Sequence, residues 1–119
     1  MPRKHPLVTF DTVRKFAFEL PGVEEGTSYG TPAFRARGKF FLRLREDGDT
    51  LVVKVDLDER DLLMNSDPET YYLTDHYRGY AVVLVRLSKV HPEDLRERID
   101  HAWRLCASKR MLDERDRKR

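Results

Sequence analysis

Between Phe34 and Val55 apolar and polar residues alternate, and the alternation is broken twice, around Gly38 and at Asp47-Gly48. A period of two over such a span marks β-strands, and glycine-bearing breaks between them mark hairpin turns. Ala36-Arg37-Gly38 reads as a three-residue loop with Gly38 left-handed, and Asp47-Gly48 as a two-residue turn with positive φ at both positions. In that register Phe34, Phe40, Leu42, Leu44, Leu51, Val53 and Val55 share one face. Each is worth roughly 1.5–3 kcal/mol when buried. A one-residue slip turns the whole set to water, so the register is strongly specified. The opposite face then carries Arg35, Lys39, Phe41, Arg43, Arg45, Thr50, Val52 and Lys54.

The flanking segments complete the architecture. Phe10, Val13, Phe16, Ala17 and Leu20 recur at helical spacing after Thr9, a natural cap, and before Pro21-Gly22, which ends the helix. Glu24 to Gly30 reads as a short strand or an extended lead-in. Asp56 caps a short helix through Leu57, Leu62, Leu63 and Met64. Tyr71–Leu73 and Tyr80–Leu87 read as two further strands joined by the loop from Thr74 to Gly79. His91-Pro92-Glu93-Asp94 opens a last helix whose Leu95, Ile99, Ala102, Trp103 and Cys106 face inward. The order is α-β-β-β-α-β-β-α, which predicts an α+β fold with a single antiparallel sheet and helices packed on one face. The 119 residues make one domain, 1–119, with a compact core over about 8–107 and a basic tail, 108–119, that reads as a frayed helix or free end.

Composition limits what such a domain does. Its longest apolar stretch, Ala81 to Val85, is far short of the ~20 residues of a membrane span. Met1-Pro2-Arg3-Lys4 has no apolar run behind it, so no secretory signal is expected, and the cytoplasm is the expected location. One cysteine, Cys106, excludes a disulfide framework, and its place on an apolar helical stripe predicts an inert core thiol. His5, His76, His91 and His101 lack metal-ligand spacing, and hydrolase, P-loop and dinucleotide fingerprints are absent. The expectation is a protein that is not an enzyme and carries no cofactor or metal.

The charge is unevenly placed. Five basic residues and no acid lie between Gly30 and Arg45, whereas Glu46 to Asp75 holds ten acids against Lys54 and Arg60. Arg35, Arg37, Lys39, Arg43, Arg45 and Lys54 project from a hairpin sheet with Phe41 exposed among them, and His76, Tyr77 and Arg78 sit on a nearby loop. Guanidinium forks match phosphate oxygens and an aromatic ring offers a base a stacking surface. A merely solvated sheet face accounts for the same residues.

Several of these residues also carry a family pattern. Leu20-Pro21-Gly22-Val23-Glu24-Glu25, Ser28-Tyr29-Gly30-Thr31-Pro32-Ala33-Phe34, Gly38-Lys39, Arg43-Leu44-Arg45-Glu46-Asp47, His76-Tyr77-Arg78-Gly79-Tyr80 and Ala102-Trp103 together resemble the MmcQ/YjbR family over about Phe10 to Arg110. The most specific part is the stretch holding Ser28, Tyr29, Gly30, Pro32 and Phe34. The resemblance implies a fold grouped with CyaY-like and secretion-chaperone-like domains, and a DNA-binding label through hairpins described as a double wing. Where that family often has Pro-Trp, this chain has Ala81-Val82, which leaves Tyr80 as the neighbouring aromatic. The expectation is therefore a DNA-binding domain, non-specific or of unknown sequence preference. It would act through Arg35, Arg37, Lys39, Phe41, Arg43, Arg45, Lys54, His76, Tyr77 and Arg78, with the basic tail as a second contact, and its oligomeric state is left open with a monomer favoured over a dimer. The alternatives are a protein-interaction or chaperone-like adaptor using Tyr29, Phe34 and Tyr71/Tyr72, and a binder of small anionic ligands.

Overall fold

The computed structural model describes residues 7–117. The first four residues, read above for a signal, and the last two of the expected tail lie outside that range. In chain order the elements are α1 (Phe10–Phe18), β1 (Val23–Ser28), β2 (Thr31–Ala36), β3 (Lys39–Leu44), β4 (Thr50–Lys54), α2 (Leu57–Ser66), β5 (Tyr71–Tyr72), β6 (Val82–Arg86), α3 (Pro92–Arg104) and α4 (Lys109–Arg117). The strands form one six-stranded sheet in the order β1-β2-β3-β4-β6-β5, antiparallel throughout. The α+β class and the single antiparallel sheet are as expected. The segment read as a short strand or an extended lead-in is edge strand β1, and β6 lies inside the sheet.

Local chemistry sets the helix ends. The backbone N–H of Thr9 donates to Thr12 Oγ1, and Asp56 and His91 accept the amides of Asp58 and Glu93 at the starts of α2 and α3. Pro92 takes the first position of α3, where no amide is needed. From α3, Leu95, Ile99, Ala102 and Trp103 are fully buried against the sheet, and α1 adds Val13 and Ala17. Trp103 Nε1 donates to Pro21 O at 2.9 Å, tying α3 to the turn after α1. No helix among the described residues is long and apolar enough to cross a membrane.

The β3–β4 register is the expected one: Leu42 faces Val53 and Leu44 faces Leu51. The two turns differ from expectation. After Arg45 only Gly48 is left-handed, while the Asp47 carboxylate accepts the amides of Asp49 and Thr50 and closes the loop. At the β2–β3 end the loop is two residues long, with Arg37 (φ 55°) and Gly38 (φ 73°) both left-handed, the conformation that suits the strand twist. Ala36 then faces Lys39 and Arg35 faces Phe40, yet Phe34 faces Leu42, so Phe41 is the extra residue of a β-bulge. This corrects three placements. Phe41, expected on the open face, is fully buried in the helix-side core, and Phe40 turns outward to pack against Val52, Val82 and Leu84. Lys39, opposite core residue Ala36, belongs to the helix side, exposed at the hairpin end.

The segment read as a frayed helix or tail is a docked helix over Lys109–Arg117. Met111 and Leu112 pack against the core. At Gly22 the left-handed backbone (φ 68°) favours glycine, and the Met111 Cε methyl packs where a Cβ would stand, 2.8 Å from it. Asp100 holds α4 in place, accepting from Arg104 at 2.8 Å and Arg115 at 3.2 Å, while Arg104 also donates to Asp116. Burial pushes the Asp100 carboxyl up, but hydrogen bonds from Arg104 and Arg115 outweigh it and hold the group below its usual value. A carboxyl depressed in the fold contributes stability above its unfolded pKa, about 3.9, and that contribution fades as pH falls below it. Asp100→Asn at neutral pH is accordingly expected to raise hydrogen exchange at the Met111 and Leu112 amides on the order of tenfold, the worth of one charge-assisted hydrogen bond. Unchanged protection would show that α4 is held by its apolar contacts alone.

Candidate functional site

The face of the sheet away from the helices is only partly open. Register brings Phe40 and Arg43 of β3, Val52 and Lys54 of β4 and Val82 of β6 to that side, and Arg45 follows at the end of β3. On one flank the chain between β5 and β6 makes a single 3-10 turn, Asp75–Tyr77, and returns through Tyr80 and Ala81. On the other, the Tyr29-Gly30 turn stands between β1 and β2. Between these walls lies a cleft of about 700 Å³. Arg45 and Lys54 flank an apolar floor of Phe40, Val52 and Val82, and Ser28, Tyr29, Arg43, Glu46, His76, Tyr77, Tyr80 and Ala81 complete the lining.

Arg43 holds the two walls together. Its side chain is 9% exposed and donates to Thr31 Oγ1 (2.9 Å), Leu44 O (3.2 Å) and Tyr77 OH (3.0 Å). Thr31 Oγ1 in turn donates to Ser28 O. Glu46 lies 3.6 Å from the Arg43 guanidinium. The Glu46 carboxyl is held below its usual range, first by its own backbone N–H and then by the charges of Arg43 and Arg45. From α2, Arg60 donates to Tyr80 O at 2.9 Å and fixes the far rim. Arg43 and Arg60 thus position the site through these bonds to the protein, and Arg60 Nε, like Arg45 Nε, is buried without a hydrogen-bond partner.

Arg45 and Lys54 differ. Neither is ion-paired among the described residues. Arg45 Nε is buried without a hydrogen-bond partner, and the guanidinium lies 5.7 Å from the Tyr77 ring centroid. Tyr77 is packed edge-on against His76, with centroids 4.8 Å apart. Tyr29 is left-handed (φ 53°), a conformation a bulky side chain rarely takes, and is 86% exposed. Its ring meets the Arg43 guanidinium at 5.4 Å.

The sequence-predicted residues therefore divide. Ser28, Tyr29, Arg43, Arg45, Lys54, His76 and Tyr77 gather at the cleft. Arg35 is on the same face but toward β1, beside Gly26, and Arg37 is at the exposed hairpin tip. Arg78 is paired with Asp75 at 2.8 Å. Gly30 (φ 79°) completes the Tyr29 turn, Pro32 faces Thr27 across the β1–β2 pair, and Phe34 is core. The apolar patch expected for an adaptor is also corrected: Phe34 and Tyr71 are buried, and Tyr72 lies under the Arg86 guanidinium, 3.8 Å away. Tyr71 and Tyr72 form an edge strand, as the sheet-edge version of that reading had it. Phe40, Glu46, Ala81 and Val82 were missed as lining residues. A two-residue reading of Arg37-Gly38 would have placed Phe40 correctly.

Residues 18–105 match the YjbR family, a span that contains every residue lining the cleft. The uncharacterized proteins Rv2570 of Mycobacterium tuberculosis and Mb2600 of Mycobacterium bovis are each 38% identical to this chain over 66 residues, 55% of this chain and 51% of theirs. The chain spans about half the length of these curated relatives. The crystal structure of Deinococcus radiodurans protein DR2400, with a DUF419 domain, superposes with a TM-score of 0.76 at 22% identity, covering 96% of this chain and 92% of that one. That likeness is one of fold.

Proposed function

This chain belongs to the YjbR family, and on that footing we propose that it is a DNA-binding domain rather than an enzyme, and that it takes its ligand on the open face of the sheet. One observation carries the reading: Arg45 and Lys54 lack ion-pair partners in a cleft whose rims are the exposed rings of Tyr29 and Tyr80. Glu46, beside Arg45 on the cleft wall, offsets part of that charge, and a half-buried cation still gains from a further anion when a ligand supplies one. Phosphate does so strongly, and an arginine fork suits its oxygens. Exposed aromatic rings beside the cations call for a ligand with a planar apolar part as well as a charge, which a nucleotide combines. Arg35 and Arg37 extend the positive potential along the hairpin, while Arg43 orients the cleft without contacting the ligand.

The reading is tested by titrating isotope-labelled protein with oligothymidylate and following backbone amide shifts. The expected result is a set of perturbations centred on Arg45, Lys54, Tyr77 and Tyr80. Perturbations confined to α4, the other basic element, would move binding off this face, and none at low salt would overturn the reading.

A further inference from the structure

We infer that the cleft takes a single unpaired nucleotide, its base against the tyrosines and its phosphate at Arg45 and Lys54, so that the protein selects single-stranded over duplex nucleic acid. The inference rests on the nucleic-acid reading above and adds which form of the polymer is bound. The first support is shape. A cleft of about 700 Å³ is within the roughly 300–1,000 Å³ typical of sites for one small ligand. Its floor of Phe40, Val52 and Val82 is apolar and recessed between two walls. A double helix offers proteins only base edges, in its grooves, because the base faces are stacked on one another. An unpaired base has a free face and can enter such a recess.

The second support is the tyrosines. Tyr29 is the most exposed large apolar or aromatic side chain among the described residues, and Tyr80, across the cleft, is 61% exposed. Tyr29 is held outward by a left-handed backbone at a turn position that usually falls to glycine or asparagine. Its one ring contact among the described residues is the Arg43 guanidinium. Folding gains little from a strained tyrosine in water, whereas a stacking platform needs that exposure. The third support is the charge at the recess. Arg45 and Lys54 lie beside apolar floor residues, where an ion contact is less screened than on an open surface.

Fluorescence anisotropy at low salt tests this with labelled oligothymidylate of about a dozen nucleotides and a duplex of equal length. Wild type is compared with Tyr29→Ala/Tyr80→Ala and with Tyr29→Phe/Tyr80→Phe, after circular dichroism has shown each to be folded. The expected result is a single-strand preference of about tenfold or more, lost in the alanine pair, kept in the phenylalanine pair, and with duplex affinity unchanged. Thymidine monophosphate serves as competitor. Displacement shows that the free nucleotide also enters, and failure to displace confines the site to nucleotides within a strand. Equal affinity for both polymers with an inert alanine pair would overturn the inference and leave the DNA-binding reading standing. Failure to bind either polymer would overturn both.

Discussion

Trp103→Ala is expected to lower the free energy of unfolding by about 3–5 kcal/mol, the usual cost of emptying a large core site. Trp103 is the largest fully buried side chain, and it sits where α3 crosses the sheet. Its removal leaves a cavity in the helix-side core and strips Pro21 O of its donor, so transfer, cavity and hydrogen-bond losses add. For a domain whose total stability is of the order of 5–15 kcal/mol, that is a large share. Trp103→Phe keeps an aromatic ring in the site and loses the Nε1–H bond, and should cost less than half as much. Denaturant unfolding followed by circular dichroism reads both, since the variants remove the chain's one tryptophan. A loss below about 1 kcal/mol for the alanine variant would be incompatible with the packing described.

The second large effect is on binding. Arg45→Glu/Lys54→Glu is expected to weaken oligothymidylate binding on the order of a hundredfold or more, two charge-assisted contacts at about 1.5–3 kcal/mol each. The fold should survive, because neither side chain is ion-paired among the described residues. The double reversal also removes the unpartnered Arg45 Nε, which offsets part of the cost of change. Arg43→Glu, by contrast, should damage stability as well as binding. It places a carboxylate where a buried guanidinium joins Thr31, Leu44 and Tyr77.

The sequence made the scaffold legible where side-chain period and burial agree. Leu42, Leu44, Leu51 and Val53 were placed by alternation, and Leu95, Ile99, Ala102 and Trp103 by helical spacing, because each set has only one face to bury. Phe40 and Phe41 were exchanged because a two-residue turn followed by a bulge changes the face of Lys39, Phe40 and Phe41 only; from Leu42 the facing is as expected, although the β2–β3 pairing is shifted by two residues. Alternation at either side of a bulge looks uninterrupted, so adjacent phenylalanines gave no warning. The docking of α4 was hidden for another reason: Met111 and Leu112 are its only apolar residues, and their partners Gly22 and the core lie far away in sequence. The basic stripe was visible, but its division into spent and available cations was not. Arg43 and Arg45 are two positions apart on one strand and equivalent by charge. Only the fold brings Tyr77 and Thr31 to Arg43 and leaves Arg45 without such partners.

That division gives the most direct test of a phosphate-binding open face: the salt dependence of oligothymidylate affinity in wild type and in Arg45→Glu/Lys54→Glu. With Arg45 and Lys54 in the cleft and Arg35 and Arg37 along the hairpin, log K is expected to fall with log salt at a slope on the order of −2 to −3, about −0.7 per phosphate contact. In the double variant, which loses the one phosphate shared by Arg45 and Lys54, the slope should flatten by about 0.7. An unchanged slope in that variant, or a wild-type slope near zero, would contradict the assignment of phosphate contacts to this cleft.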